Sequence, residues 1–254
     1  MSVLVLPILV PLSTAAVLML APKRPTLQRW ISLTGSVLLL ASAVLLFRGV
    51  NAAGVQVLQI SGWPAPFGIT LVADLFASIL VVAVGVVGTA ISVVAFSGVD
   101  PRREAFGYHP LLQILLMGVA GAFLTGDFFN LYVWFEVMLV GSFVLMALNR
   151  TRAQMEAAFK YVAINLIASS IFLTALGLLY GATGTLNMAE LARVWPTIST
   201  PGVDTVFAVL FLIAFSIKAG LFPLFFWLPA SYHTPPAAIA AAFAGLLTKV
   251  GSTR

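Results

Sequence analysis

Cysteine is absent from the 254 residues, which excludes disulfides and thiolate metal sites. Charge is scarce: Asp, Glu, Lys and Arg fill 8% of positions, where a soluble domain carries roughly a quarter. Two histidines and eight carboxylates leave little material for a metal site. The net charge of +5 does not point to nucleic acid, because the basic residues are spread over short connecting segments and form no single patch. No basic n-region precedes the first apolar stretch, so Met1–Leu20 reads as a membrane span and not as a cleavable signal. What remains is apolar, with 61% hydrophobic residues. The class is therefore an all-α, polytopic integral membrane protein.

Eight apolar segments follow one another at roughly 3–21, 30–48, 69–96, 110–126, 129–148, 156–181, 204–230 and 235–251. The third and seventh exceed the ~20 residues a span needs, so each must tilt, break or protrude. Between the second and third, residues 51–69 carry Gly62, Trp63, Pro64, Pro66 and Gly68 and read as an extended or hairpin-like piece outside the membrane. Between the sixth and seventh, Asn187 is placed to cap a short amphipathic helix containing Met188, Leu191 and Trp195. Lys23, Arg24, Arg29, Arg102, Arg103, Arg150, Arg152 and Lys160 fall on one side of this arrangement, and only Arg48 and Arg193 on the other. The positive-inside rule puts the first group in the cytoplasm and the N-terminus outside.

Three charged side chains lie inside the apolar segments: Glu136, Lys218 and Lys249. A charge at membrane depth costs roughly 3 kcal/mol or more on insertion scales and is rarely kept without a partner or a water path. An acid and two amines so placed read first as parts of a proton or cation pathway; the alternative is a buried ion pair that only fixes helix packing. Glu136 lies seven residues past Phe129, about 10 Å along a helix, with no basic residue nearby in its own span. Its partner must come from another helix. Lys218 precedes Gly220 and Pro223; Pro223 takes the helical donor from the Ala219 carbonyl, Gly220 loosens the same turn, and Pro229 repeats the break against Phe225. A span so interrupted is expected to be discontinuous where it lines a cavity or is buried in protein; the alternative is a proline kink needed for packing alone. Lys249 lies about 20 Å along the eighth segment, either inside the bilayer or snorkelling to its surface. His233, at the mouth between the seventh and eighth segments, is either a proton carrier or a solvated loop side chain. Asp127 reads as a helix cap, Asp74 as an acid near the outer mouth and Asn165 as a bond between helices.

Four stretches carry a family resemblance: Gly62–Asp74 (GWPAPFGITLVAD), Leu111–Phe135 (LLQILLMGVAGAFLTGDFFNLYVWF), Lys160–Leu191 (KYVAINLIASSIFLTALGLLYGATGTLNMAEL) and Ser216–Lys249 (SIKAGLFPLFFWLPASYHTPPAAIAAAFAGLLTK). Together they span nearly the whole chain. It resembles the antiporter-like subunits shared by Mrp-type monovalent cation/proton antiporters, complex I-type enzymes and membrane-bound hydrogenases. The resemblance implies that the acid of the fifth span, Glu136, pairs with the lysine of a broken seventh span, Lys218. It implies that Lys249 continues a hydrated polar axis, with His233 beside it and the break at Gly220, Pro223 and Pro229. It also implies three N-terminal spans with an outer loop over residues 1–109, then the first of two inverted five-helix repeats over residues 110–254. The second repeat of a family with about fourteen spans is missing, so a fragment or frameshifted reading is expected.

The function implied is that of a transporter subunit, not an enzyme, in the cell membrane. It would hold no cofactor or metal and would move protons coupled to Na⁺ or another monovalent cation, among other membrane subunits and without nucleic acid. The alternatives are a proton-pumping subunit of a complex I-like or hydrogenase enzyme, and a non-conducting remnant.

Overall fold

A computed structural model describes residues 2–22, 24–148, 151–199 and 201–253. Lys23 and Arg150, which contribute to the predicted charge bias, lie outside the described residues. Among the described residues six helices are long and apolar enough to cross a membrane, and two shorter apolar helices bring the number to the eight expected.

After a 3₁₀ turn, α1 (Leu6–Leu20) leads into α2 (Pro25–Ala53). Pro25 starts α2 where a missing N–H costs nothing. The Gln28 amide donates to the Leu18 carbonyl at 3.0 Å, so the start of α2 satisfies the end of α1. The predicted hairpin is present: β1 (Gln56–Gln59) and β2 (Thr70–Ala73) pair antiparallel, from Gln56 with Ala73 to Gln59 with Thr70. This small sheet is the departure from an all-α chain. It also explains the excess length of the third apolar segment, whose first residues belong to β2 and not to a span. Then α3 (Leu75–Gly98) begins at Asp74, whose carboxylate accepts from the Ala77 N–H at 2.7 Å. Asp74 is thus a cap, a more local role than an acid at a mouth.

A short turn, α4 (Pro101–Ala105), precedes α5 (Tyr108–Leu124), the most deeply buried helix, which packs against α1, α3 and α6. Next come α6 (Phe128–Ala147), α7 (Arg152–Thr183), the amphipathic α8 (Met188–Ile198) and α9 (Pro201–Ala219). Asp127 caps α6 through the Asn130 N–H at 2.8 Å, and Asn187 caps α8 through the N–H groups of Ala189 and Glu190, both as expected. The chain continues through α10 (Trp227–Tyr232), α11 (Ala237–Ala242), a π-helical turn at Phe243–Leu247 and α12 (Thr248–Ser252).

Two sets of contacts fix which loops share a side. Thr70 on β2 accepts the Gly126 N–H at 2.8 Å through its carbonyl and the Asn187 amide at 2.9 Å through its hydroxyl. The hairpin, the α5–α6 link and the α7–α8 link are therefore stitched together. At the opposite end, the Arg29 guanidinium donates to both oxygens of Glu104 at 2.7 and 3.0 Å, joining the α2 start to α4. These are the two loop groups that the span count separates. The second is the basic side.

Candidate functional site

The break in the seventh span is built by glycine. Gly220 has φ of 67°, a left-handed conformation that a side chain would strain. The Leu221 N–H reaches back to the Ser216 carbonyl at 2.9 Å and the Gly220 N–H to Ile217 at 3.1 Å. That bond pair closes a helix with glycine in the position just past its end. Pro223 lies beyond this cap, where it cannot restart the helix. Pro229 does not repeat the break: it occupies the first turn of α10, where no N–H is required, and the Leu228 N–H takes the Phe225 carbonyl at 2.9 Å. The Trp227 indole N–H donates to the Ile217 carbonyl at 2.9 Å and ties the two halves of the span together.

Lys218 stands in the last turn of α9, where a cation suits the helix's negative end, and only 8% of it is exposed. Its ammonium donates to Ser169 Oγ on α7 at 2.9 Å and sits over the Phe135 ring, 4.9 Å from the centroid. Beside it is a cavity with about 20 Å³ open to the centre of a water molecule, bounded by Phe135, Tyr161, Asn165 and Trp227. That is enough for one water among polar partners.

The surroundings of Lys218 differ along the helix axes. Toward the hairpin side, Phe135, Phe172, Phe211 and Phe215 pack ring against ring at centroid distances of 5.2 to 6.3 Å. The four rings offer no hydrogen-bonding group. Toward the basic side, α7 presents a buried polar stripe of Ser169, Asn165, Tyr161 and Gln154. Their spacings of four, four and seven put them on one helix face. Tyr161 shares a hydrogen bond with Ser142 of α6 at 2.7 Å, and the Gln154 amide donates to the Thr234 carbonyl at 3.2 Å. Of this stripe only Asn165 stands out in the sequence, as an expected bond between helices. Asn165 instead donates to Tyr161's carbonyl on its own helix at 2.9 Å. Helical spacing is the signal that could have found the others.

Glu136 follows Phe135 on α6 and is half-buried, and its buried Oε1 has no hydrogen-bond partner among the described residues. No direct ion pair joins it to Lys218 there: the ion pairs found are Arg29–Glu104, Lys160–Glu156 and Arg193–Glu190. The ammonium is turned to Ser169 and the Phe135 ring. Lys249, in the last turn of α12, is exposed on the surface of the described chain. Its helix nevertheless packs on the break: a Cβ on Gly251 would lie 2.7 Å from the Ala219 nitrogen. His233 is exposed at the end of α10, with Nδ1 2.7 Å from the Pro229 carbonyl, and does not line the Lys218 cavity.

Residues 125–253 match the family described as NADH:quinone oxidoreductase/Mrp antiporter, transmembrane. A protein of Alkalihalophilus pseudofirmus, named as a subunit of an Na⁺/H⁺ antiporter, is 48% identical over 250 residues, covering 98% of this chain and 51% of the relative. Two solved structures are similar at 32% identity. One, with a TM-score of 0.89, belongs to an archaeal respiratory complex, the membrane-bound sulfane sulfur reductase, and the match covers 98% of this chain and 51% of that one. The other, with a TM-score of 0.87, belongs to the Mrp complex of a Dietzia species, covering 98% and 46%. The chain spans about half the length of the curated relatives it matches.

Proposed function

Because the chain belongs to the NADH:quinone oxidoreductase/Mrp antiporter transmembrane family, we propose that it is part of a multi-subunit cation/proton antiporter in the plasma membrane, exchanging protons for Na⁺ or another monovalent cation. It acts as a transporter subunit and catalyses no bond chemistry. Its neighbours are the other membrane subunits of the assembly and the lipid bilayer. Residues 1–109 form an N-terminal three-span unit, and residues 110–254 the first of two antiporter-like repeats. The observation that carries the reading is Lys218: a buried ammonium at a broken helix, beside a water-sized cavity. The polar stripe of α7 supplies an approach from the basic side, and the Phe cluster blocks the hairpin side. In this reading a proton reaches Lys218 through Gln154, Tyr161, Asn165 and the cavity water, and His233 lies at the entrance. Glu136 sets the charge balance at Lys218 through space, and Lys249 receives the proton on the far side of the break. A proton-pumping role in a respiratory complex would use the same groups; the similarity to the sulfane sulfur reductase complex favours it as the second reading.

The test is a cation-dependent proton-transport assay on the assembled complex in vesicles. Glu136→Gln keeps the shape and removes the charge, so transport is expected to fall about tenfold or more. Glu136→Asp keeps an acid and is expected to retain a part of the rate. Wild-type transport by assembled Glu136→Gln would overturn the relay. The orientation is tested separately. With the N-terminus outside, reporter fusions after Arg24, Arg103 and Arg152 all report cytoplasm. An external report at two of the three overturns it.

A further inference from the structure

A second buried titratable cluster lies far from Lys218 in the fold, among α2, α4 and α5. Glu104 is 5% exposed and His109 0%. Glu104 takes the Arg29 guanidinium bidentately, and its Oε1 lies 3.2 Å from His109 Nε2. A carboxylate held by Arg29 accepts hydrogen bonds only, so Nε2 carries the proton and Nδ1 of the neutral ring is a bare acceptor. That Nδ1 is buried and has no partner among the described residues. One turn along the same face, Gln113 is also fully buried. Its amide nitrogen donates to the Ser32 carbonyl and to Ser36 Oγ, each at 3.0 Å, which fixes its orientation. Its Oε1 is likewise without a donor. The site thus holds two unsatisfied acceptors, a costly arrangement. One added proton on Nδ1 makes that atom a donor. A cavity of about 320 Å³ lined by Gln28, Glu104, Gly107 and Pro110 opens beside the carboxylate on the basic side.

We propose that His109, with Glu104 and Gln113, is a second proton-binding site, filled from the basic side and separate from Lys218. A proton taken from hydronium becomes the Nδ1–H bond and leaves water behind, the ring gains one positive charge, and Gln113 Oε1 accepts the new N–H. Glu104 faces the resulting cation, with its own charge otherwise matched by Arg29. The path inward from Gln113 runs to Ser36 and on to Ser92 at 2.8 Å, among close-packed α2 and α3, so the site holds a proton without conducting it. The charged environment is simple. Helices α1 and α3 and strand β2 carry no titratable side chain; α2 carries Arg29 in its first turns and Arg48 near its far end, and α4 carries Arg102, Arg103 and Glu104, with Asp100 just before it. On α5 itself Tyr108 lies edge-on to the ring at 5.1 Å. Of the other helices touching α5, α6 carries Tyr132 and Glu136, and α12 carries Lys249. The proposal stands whether or not the Lys218 relay does.

The sequence has two histidines, and in ¹⁵N-histidine spectra the ring signals that His109→Gln removes and His233→Gln keeps are those of His109. In membranes, its two nitrogens are expected to pass reversibly from one protonated and one bare to both protonated as pH falls from about 9 to 5. Glu104→Gln and Gln113→Leu should each move the midpoint down, one by removing the facing charge and the other the waiting acceptor. A ring that stays neutral over the whole range, as a water bridging Nδ1 and Gln113 would leave it, overturns the proposal. So does a midpoint that neither substitution moves.

Discussion

Lys218→Met is expected to lower cation-dependent proton transport by about a hundredfold or more while the complex still assembles. Met matches the apolar stem of lysine and keeps contact with Phe135, so packing around the break should survive. The ammonium, its bond to Ser169 and its reach to the cavity water are lost. Lys218→Arg is the sharper variant. It keeps a positive charge, but a guanidinium does not release its proton. If Lys218 passes a proton, Arg fails as Met does; if it only supplies a fixed charge, Arg restores transport. Ser169→Ala, which removes one hydrogen bond and no titratable group, should cost far less than either. Wild-type rates in assembled Lys218→Met, or rescue by Arg, would remove Lys218 from the relay.

The reach of sequence reasoning follows from which physics is local. Spans are legible because hydrophobic length is written in composition, and caps such as Asp127 and Asn187 because they act within three residues of themselves. The run at residues 69–96 carries one charge, Asp74, and hydrophobicity alone does not show that Thr70–Ala73 before it pairs as a strand. The seventh span is broken where the sequence expects it, but the prolines that signal the break do not make it. The capping bonds show glycine in command, with Pro223 following and Pro229 accommodated in a first turn. An approach of Glu136 to Lys218, directly or through one water, is expected because each is otherwise an isolated charge in an apolar helix. Within direct hydrogen-bond and ring contact the structure gives Lys218 a hydroxyl and an aromatic face, a choice of side-chain direction that spacing does not encode. Arg29, Glu104 and His109 escape for the opposite reason. They stand near helix ends, where charge is ordinary, and only the folding of α4 against α2 buries them.

Gly251→Ala is expected to destabilise the broken span and impair transport together, because α12 and the break have no space between them. The new Cβ would lie 2.7 Å from the Ala219 nitrogen and 3.0 Å from the Lys218 carbonyl carbon. Both are backbone atoms in the turn that closes α9 over Gly220, so no rotamer change relieves the overlap and α12 must retreat. Overpacking of this kind costs about 1–3 kcal/mol. For a chain of this size, that shifts thermal unfolding by roughly 2–4 °C per kcal/mol. Displacing α12 also moves Lys249 relative to Lys218, so the proposed transfer across the break lengthens. Gly245→Ala is the matched control: its nearest neighbour would be Val87 Cγ1 at 3.9 Å, an ordinary contact, in the π-helical turn just before α12. It makes the same chemical change within two turns of Gly251 and meets no backbone. Melting of the purified assembly and transport in vesicles should therefore separate the two variants. Equal behaviour of Gly251→Ala and Gly245→Ala in both measurements would mean that α12 can leave the break without consequence, and that the contact between them carries no part of the transfer path.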